Sequence, residues 1–426
     1  MTNSNKSVSN LIDFINSSQS AFQTVDTIKS ILDKEHFVEL SENKAFNIHE
    51  HGKYYVIRNS SSIIAFTVGG LNKYAFKITA SHSDSPSFKL KENAELKVRD
   101  KYMKLNTEGY GGMLLAPWFD RPLSIAGRLM INKNGKISEK HVAIDRDLVL
   151  IPNLAIHMNR KANEGIAYNK QIDMLPLFGG EECKAGDLKA LIAKEAGVSE
   201  TDIIGSDLYL YNRTAPSVWG ANSEFFSAPR IDDLECVYTT LEAFISARKS
   251  SGVNVFACFD NEEVGSSTLQ GAGSTFLLDI LKRINLSLNK TEEEYYCAIA
   301  DSFMLSCDNA HAVHPNHPEK TDETNAVYMN GGIVIKSNAN QKYTSDAASI
   351  ARFKLICDKA KVPYQYFANR SDEAGGSTLG NIAMSQVSMH AIDIGLAQLA
   401  MHSPYETAGT KDIEYMIKAC KTFYEE

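Results

Sequence analysis

Val253-Asn254-Val255-Phe256-Ala257-Cys258-Phe259, followed at once by Asp260-Asn261-Glu262-Glu263-Val264-Gly265-Ser266, sets the fold class of this chain. A run apolar at every position but Asn254, and rich in Val and Phe, reads as a strand buried on both faces. Such strands belong to sheets covered by helices. Upstream, Leu234, Val237, Tyr238, Leu241, Phe244 and Ile245 recur at helical spacing, and downstream TFLLDILKRI (275–284) does so again. Helix, buried strand and helix in succession predict an α/β fold with several parallel strands. The acids at the strand's exit matter as much, because ligands of α/β sheets bind beyond the carboxyl ends of the strands. If the chain is extended there, Glu262 and Glu263 point to opposite sides, so one can ligate while the other acts as a base.

Working outward, Leu11, Phe14 and Ile15, then Ile28, Ile31 and Leu32, predict a helical opening to about Lys34. YYVI, SIIAFTVGG and KYAFKITASH then read as strands, the third ending at His82. Between about Glu92 and Ala228 the pattern is antiparallel β, with Leu96 and Val98 alternating with charges and an Asn134-Gly135 hairpin signal. The economical arrangement is one discontinuous α/β domain, residues 1–91 and 229–426, interrupted by a β-rich insertion at 92–228. Farther on, YYCAIA (295–300) and HAIDIG (390–395) both look strand-like.

With 426 residues, 43% hydrophobic and 23% charged, the chain has room for sizeable cores. The balance of 44 basic against 52 acidic residues gives −8 and no basic cluster, which argues against a nucleic-acid groove. No apolar run reaches the length of a signal peptide or a membrane span, so a cytoplasmic protein without a membrane partner is expected. Seven cysteines, an odd number with no CxxC, read as reduced core residues.

Five loops carry candidate chemistry. Ser81-His82-Ser83-Asp84 ends a strand, and Asp84 is placed to accept the ring N–H of His82 and fix its tautomer. Asp232 and Asp233 precede an amphipathic helix; one can cap while the other faces a cleft, and spacing alone does not choose between them. Glu262 and Glu263 follow the buried strand. Asp308 opens a loop that also holds His311, His314 and His317, and His402 lies between HAIDIG and the last helix. Singly, each has a bland reading as a turn, a cap or a polar loop. Jointly, His, Asp, Glu, Asp and His on successive loops of one α/β domain would repel and resist desolvation unless a cation neutralised them. Imidazole with carboxylate suits Zn2+, with Mn2+ or Co2+ as alternatives, and a shared carboxylate can hold two ions about 3.5–4 Å apart. The P-loop, GxSxG and HExxH patterns are missing, and Gly271-Ala272-Gly273 lacks the last glycine of a dinucleotide site.

ASHSDSP (80–86), PRIDDL (229–234), DNEEVGS (260–266), SCDNAHAVHPN (306–316) and AMHSPYE (400–406) together resemble the M18 metallo-aminopeptidases of the aspartyl aminopeptidase type. PWFDR, IPNLAIHMNR and VIKSNANQKY extend the resemblance along nearly the whole chain. It implies a zinc-exopeptidase-like mixed sheet flanked by helices, with the insertion serving dimerisation. It implies two divalent ions per subunit, His82 and Asp308 on one, Glu263 and His402 on the other, and Asp232 bridging. Glu262 matches the family's general base, and Asp84 would orient His82. Lys336 falls where acidic-specific members place a lysine that meets the substrate's first side chain, implying peptides beginning with Asp or Glu. His157 matches a histidine that reaches a neighbouring subunit's site, and His311 one that contacts substrate. Dimers assembled into a dodecamer are the implied state. Asp233 stands where relatives often have Asn, and Asn153 where some have His. Alternatives are a neutral or broad residue preference, a non-catalytic assembly protein, and a glycosidase using Glu262 and Glu263.

Overall fold

The structure, a computed structural model, describes residues 3–248 and 251–426. The chain forms two compact units, one of residues 1–84, 216–401 and 406–426, the other of residues 85–215 and 402–405.

The first unit is built on a nine-stranded sheet. From edge to edge it runs Val38–Glu39, Lys53–Arg58, Ser62–Val68, Val253–Phe259, Phe76–His82, Phe303–Cys307, His390–Gly395, Ile333–Lys336 and Tyr364–Phe367. The four strands from Val253–Phe259 to His390–Gly395 are mutually parallel. Every residue of Val253–Phe259 is buried, as expected for a strand covered on both faces. Phe256 and Cys258 join the core made by Ile231–Ser246, Asp412–Tyr424 and the N-terminal helices. Val253, Val255, Ala257 and Phe259 join the opposite core with Phe276–Ser287 and Glu292–Asp301. The period of two thus splits one apolar run between two cores.

Parallel registration brings the strand ends to one edge, with Phe259 paired to His82. The residues that follow, Asp84, Asp260 to Glu263 and Asp308, leave the sheet there, and Ile231–Ser246 starts with Asp232 and Asp233 in its first turn. A smaller sheet, Ser217–Trp219, Phe225–Ala228, Glu406–Gly409, Ala397–Leu399 and Ala310–His311, carries Glu406 and His311.

Several expectations need correction. The opening is two helices, Asn3–Ser17 and Ala21–Lys34, with Ser18-Gln19-Ser20 between them. YYCAIA lies within the helix Glu292–Asp301, and the strand begins only at Phe303. The reason is local: Thr291 and Glu294 form a capping box, and Glu292, Glu293 and Glu294 fill the first turn where the helix dipole favours acids. All seven cysteines are free, but Cys297 is exposed and Cys183 half-buried, so five belong to the core.

The second unit is an antiparallel sheet in the order Lys136–Ala143, Leu123–Lys133, Ile203–Asn212, Ser87–Val98, Tyr102–Tyr110 and Leu177–Gly179. Asn134 (φ 55°) and Gly135 (φ 80°) both take the left-handed conformation that a two-residue hairpin turn requires. Its core gathers Phe88, Trp118, Leu123, Ile125, Leu208 and Leu210 with Leu188 and Ile192 of the helix Asp187–Ala196. The break falls at Ser85, not near 92, because Ser87–Val98 is one continuous strand. It falls again after Ala215, because 217–228 pairs into the small sheet of the first unit. Among the described residues no helix is long and apolar enough to cross a membrane.

Candidate metal centre

His82 ends its strand with 1% of its surface exposed. Its Nδ1 lies 3.1 Å from the backbone oxygen of Asp84 and 3.4 Å from Asp84 Oδ1. Its Nε2 lies 3.4 Å from Asp232 Oδ1. Asp84 does more than meet the ring: its Oδ1 accepts the Glu262 N–H at 3.1 Å and its Oδ2 the Glu263 N–H at 3.2 Å. One carboxylate therefore ties the loop after Phe76–His82 to the loop after Val253–Phe259. Glu262 and Glu263 lie in a single short turn, Glu262–Val264, and not in extended chain.

Asp232 and Asp233 are joined by a cis peptide bond, and their backbone departs from helical geometry. Asp233 Oδ2 accepts the His82 backbone N–H at 3.0 Å, and Glu406 Oε2 accepts the Asp232 N–H at 3.0 Å. One ligand atom each from His82, Asp232, Asp233 and Asp308 lie within 4.8 Å of one another, as do those of His82, Glu262 and Glu263. The donors are an imidazole and carboxylates, the chemistry that suits zinc.

Electrostatics bear on the same question. Burial pushes the carboxyl groups of Asp233, Asp308, Glu262 and Glu263 above their ordinary range, Glu262 to about 8, and their charges raise one another further. Burial opposes charge on the His82 ring, but Asp233, Asp232 and Asp84 outweigh it and raise its pKa. Lys336 Nζ stands 3.7 Å from Asp308 Oδ1 and 5.6 Å from the Tyr343 ring centroid. Burial disfavours that ammonium, yet Asp308 and its neighbours raise its pKa. Acids crowded out of water and raising one another are those that a divalent cation relieves, and this donor set fits one.

Among the other expected residues, His311 and His157 belong to none of the groups of potential ligands. His311 is exposed on its short strand, 6.3 Å from the Phe367 ring, and shares with Phe367, Leu399 and Arg370 a cavity of about 290 Å³. His157 is exposed on a loop of the second unit beside exposed Leu154, Ile156 and Met158. His402 opens the segment 402–405 that groups with that unit, and its carbonyl accepts the Leu114 N–H at 3.1 Å. Sequence reasoning missed the layer behind the acids. Asn309 Nδ2 donates to Glu235 Oε2 at 2.7 Å, and Gln398 Nε2 to Glu406 Oε1 at 3.3 Å. Asn309 directly follows Asp308 in a loop already singled out, and that signal was available.

The comparisons agree with the geometry. A family model described as aminopeptidase I zinc metalloprotease (M18) matches residues 14–424. A probable M18 family aminopeptidase 2 of Clostridium novyi is 47% identical, with 100% of both chains covered. The chain belongs to the M18 family of metallo-aminopeptidases. Aspartyl aminopeptidase 4 of Saccharomyces cerevisiae is 38% identical, covering 97% of this M18 chain and 93% of its own. The fold is likewise similar to that of mApe1 from the S. cerevisiae dodecamer, with TM-score 0.87, 27% identity, and 99% and 97% of the two chains covered.

Proposed function

We propose that this M18 hydrolase removes an N-terminal Asp or Glu from peptides, using two zinc ions and a water molecule. The observation that carries the reading is the convergence of His82, Asp232, Asp308, Glu262 and Glu263 at one end of the parallel sheet. In this reading His82 and Asp308 would hold one ion, Glu263 and His402 the other, and Asp232 would serve both. When bound, the ions supply Lewis acidity for the scissile carbonyl and lower the pKa of water. Glu262 takes the proton of the attacking water on its carboxylate and delivers it to the leaving amine nitrogen. Asp84, accepting the backbone N–H groups of both glutamates, keeps that carboxylate in place.

Lys336 supports the acidic preference. A buried ammonium at the strand end beside Asp308 pairs with an acidic side chain and leaves an apolar one with an unreturned desolvation cost. The 38% identical yeast relative is named as an aspartyl aminopeptidase. Exposed Leu154, Ile156 and Met158 around His157 support the insertion as a subunit contact, and the mApe1 structure supports a dodecamer. We place the enzyme in the cytoplasm.

The test is release of the first residue from a panel of X-peptides, with metal-loaded and chelated enzyme side by side. Chelator-sensitive release favouring Asp and Glu is expected. Equal rates for neutral X would overturn the acidic preference, and no release after metal reloading would overturn the peptidase reading.

A further inference from the structure

Asp393 lies in the strand His390–Gly395 with no exposed surface. Its Oδ2 accepts the Thr344 N–H at 2.5 Å and the Thr344 Oγ1–H at 2.7 Å, and its Oδ1 accepts the Thr378 Oγ1–H at 2.6 Å. Its own N–H donates to Ser345 Oγ at 3.1 Å. These partners come from two separate loops. Thr344 and Ser345 close the segment between Ile333–Lys336 and the helix Ala347–Ala360, and Thr378 precedes Leu379–Ala383. Packing is tight: a Cβ at Gly380 would stand 3.0 Å from Asp393 Oδ1 and 2.7 Å from Ser306 Oγ.

The register makes this arrangement relevant to substrate. Val334 pairs with Gly395 across an antiparallel ladder, and Lys336 and Asp393, each two residues along its own strand, lie on the same face as that pair. Residues opposite each other in an antiparallel pair share a face. Tyr343, whose ring faces the Lys336 ammonium, immediately precedes the Thr344 that Asp393 holds. The two oxygens of Asp393 accept from three donors at once; an amide in its place would turn an NH2 toward one of them.

We propose that Asp393 is a positioning residue for substrate selection: it clamps the 344–345 and 378 loops so that Tyr343 and Lys336 frame the pocket for the substrate's acidic side chain. The inference rests on the reading of Lys336 given above and deepens it. Asp393 does not touch the substrate in this scheme. It sets the walls between which the ammonium presents itself.

The test compares N-terminal Asp and N-terminal Leu substrates on the metal-loaded wild type, Asp393→Asn, Thr378→Val, Thr378→Ser and Lys336→Met. Asp393→Asn should raise KM for the Asp substrate by about tenfold, the worth of a hydrogen bond to a charged group. The kcat, the KM for the Leu substrate and the bound metal should stay close to wild type. Thr378→Val should shift the Asp:Leu ratio in the same direction by less, and Thr378→Ser, which keeps the hydroxyl, should restore it. Equal losses on both substrates, or no loss on either, would overturn the proposal. If Asp393→Asn does not fold, the Val and Ser variants at 378 decide, and identical ratios would overturn it. A ratio that Lys336→Met leaves unchanged removes the acidic reading and this inference together. A ratio changed by Lys336→Met but by neither Asp393→Asn nor Thr378→Val removes the inference alone.

Discussion

Asp207, on the antiparallel sheet of the second unit, and Asp308, beyond the parallel strands of the first, are both acids beside a lysine, yet their protonation equilibria move in opposite directions. Burial works to raise Asp207, but hydrogen bonds from Lys89 at 2.7 Å and Arg128 at 2.9 Å outweigh it and hold it below the usual range. Asp308 is raised by burial first; Lys336 offsets part of this, and Asp232 adds to it. The chain itself answers the charge of Asp207. Around Asp308 the acids outnumber the ammonium, an imbalance that a bound cation would relieve, and this separates a structural ion pair from a candidate site.

The largest expected effect sharpens that contrast. Asp232→Asn should lose bound metal and activity together, by about 10³-fold or more, read by elemental analysis and kcat/KM on the same preparation; full metal occupancy would remove Asp232 as the bridge. Next, Glu262→Gln should keep its metal while kcat falls by roughly 10²–10⁴-fold. Metal loss in that variant would move Glu262 from base to ligand.

A smaller effect follows from Glu235, which burial pushes from the ordinary value of 4.5 to about 8. A folded-state value above the unfolded one means that stability is full below about pH 4.5. It is lost as pH rises toward 8, by up to ~1.4 kcal/mol per pH unit, because the unfolded chain gives up its proton first. Glu235→Gln has no such proton to lose and can still accept from Asn309. Denaturant melts at pH 5 and pH 8, at equal metal loading, should therefore show the variant gaining on the wild type as pH rises. Parallel behaviour would mean that Glu235 is ionised in the fold.

The smallest effect belongs to Asp207→Asn, a loss of roughly 1 kcal/mol or less for a half-buried pair, with activity unchanged. Asp207 has a lowered folded value, so its contribution is present at neutral pH and fades on acidification. The gap between variant and wild type should close in acid, and an activity loss in this variant would break the comparison between the two regions.

Much of the fold was legible because its signals are local. VNVFACF is buried throughout, and Asn134-Gly135 joins the two strands on either side of it. YYCAIA misled because a short aromatic and apolar run does not distinguish strand from helix, and the capping box at Thr291 and Glu294 decided the matter. At the candidate site, residue types and their positions at strand ends or a helix start marked His82, Asp232-Asp233, Glu262-Glu263 and Asp308. Roles that depend on a partner's direction stayed hidden: Asp233 turns to the His82 backbone, Glu406 holds the Asp232 N–H, and Asp393 joins two loops.

The sequence by itself determined the α/β class, the β-rich interruption and the acid-bearing loops, because apolar period, turn chemistry and strand-end acids are written over a few neighbouring residues. Only the tertiary structure decided which acid faces which group. The His82–Asp233 bond spans 151 residues and the Asp232–Glu406 bond 174, and contacts at such separation exist only once the parallel strands have brought their ends to one edge.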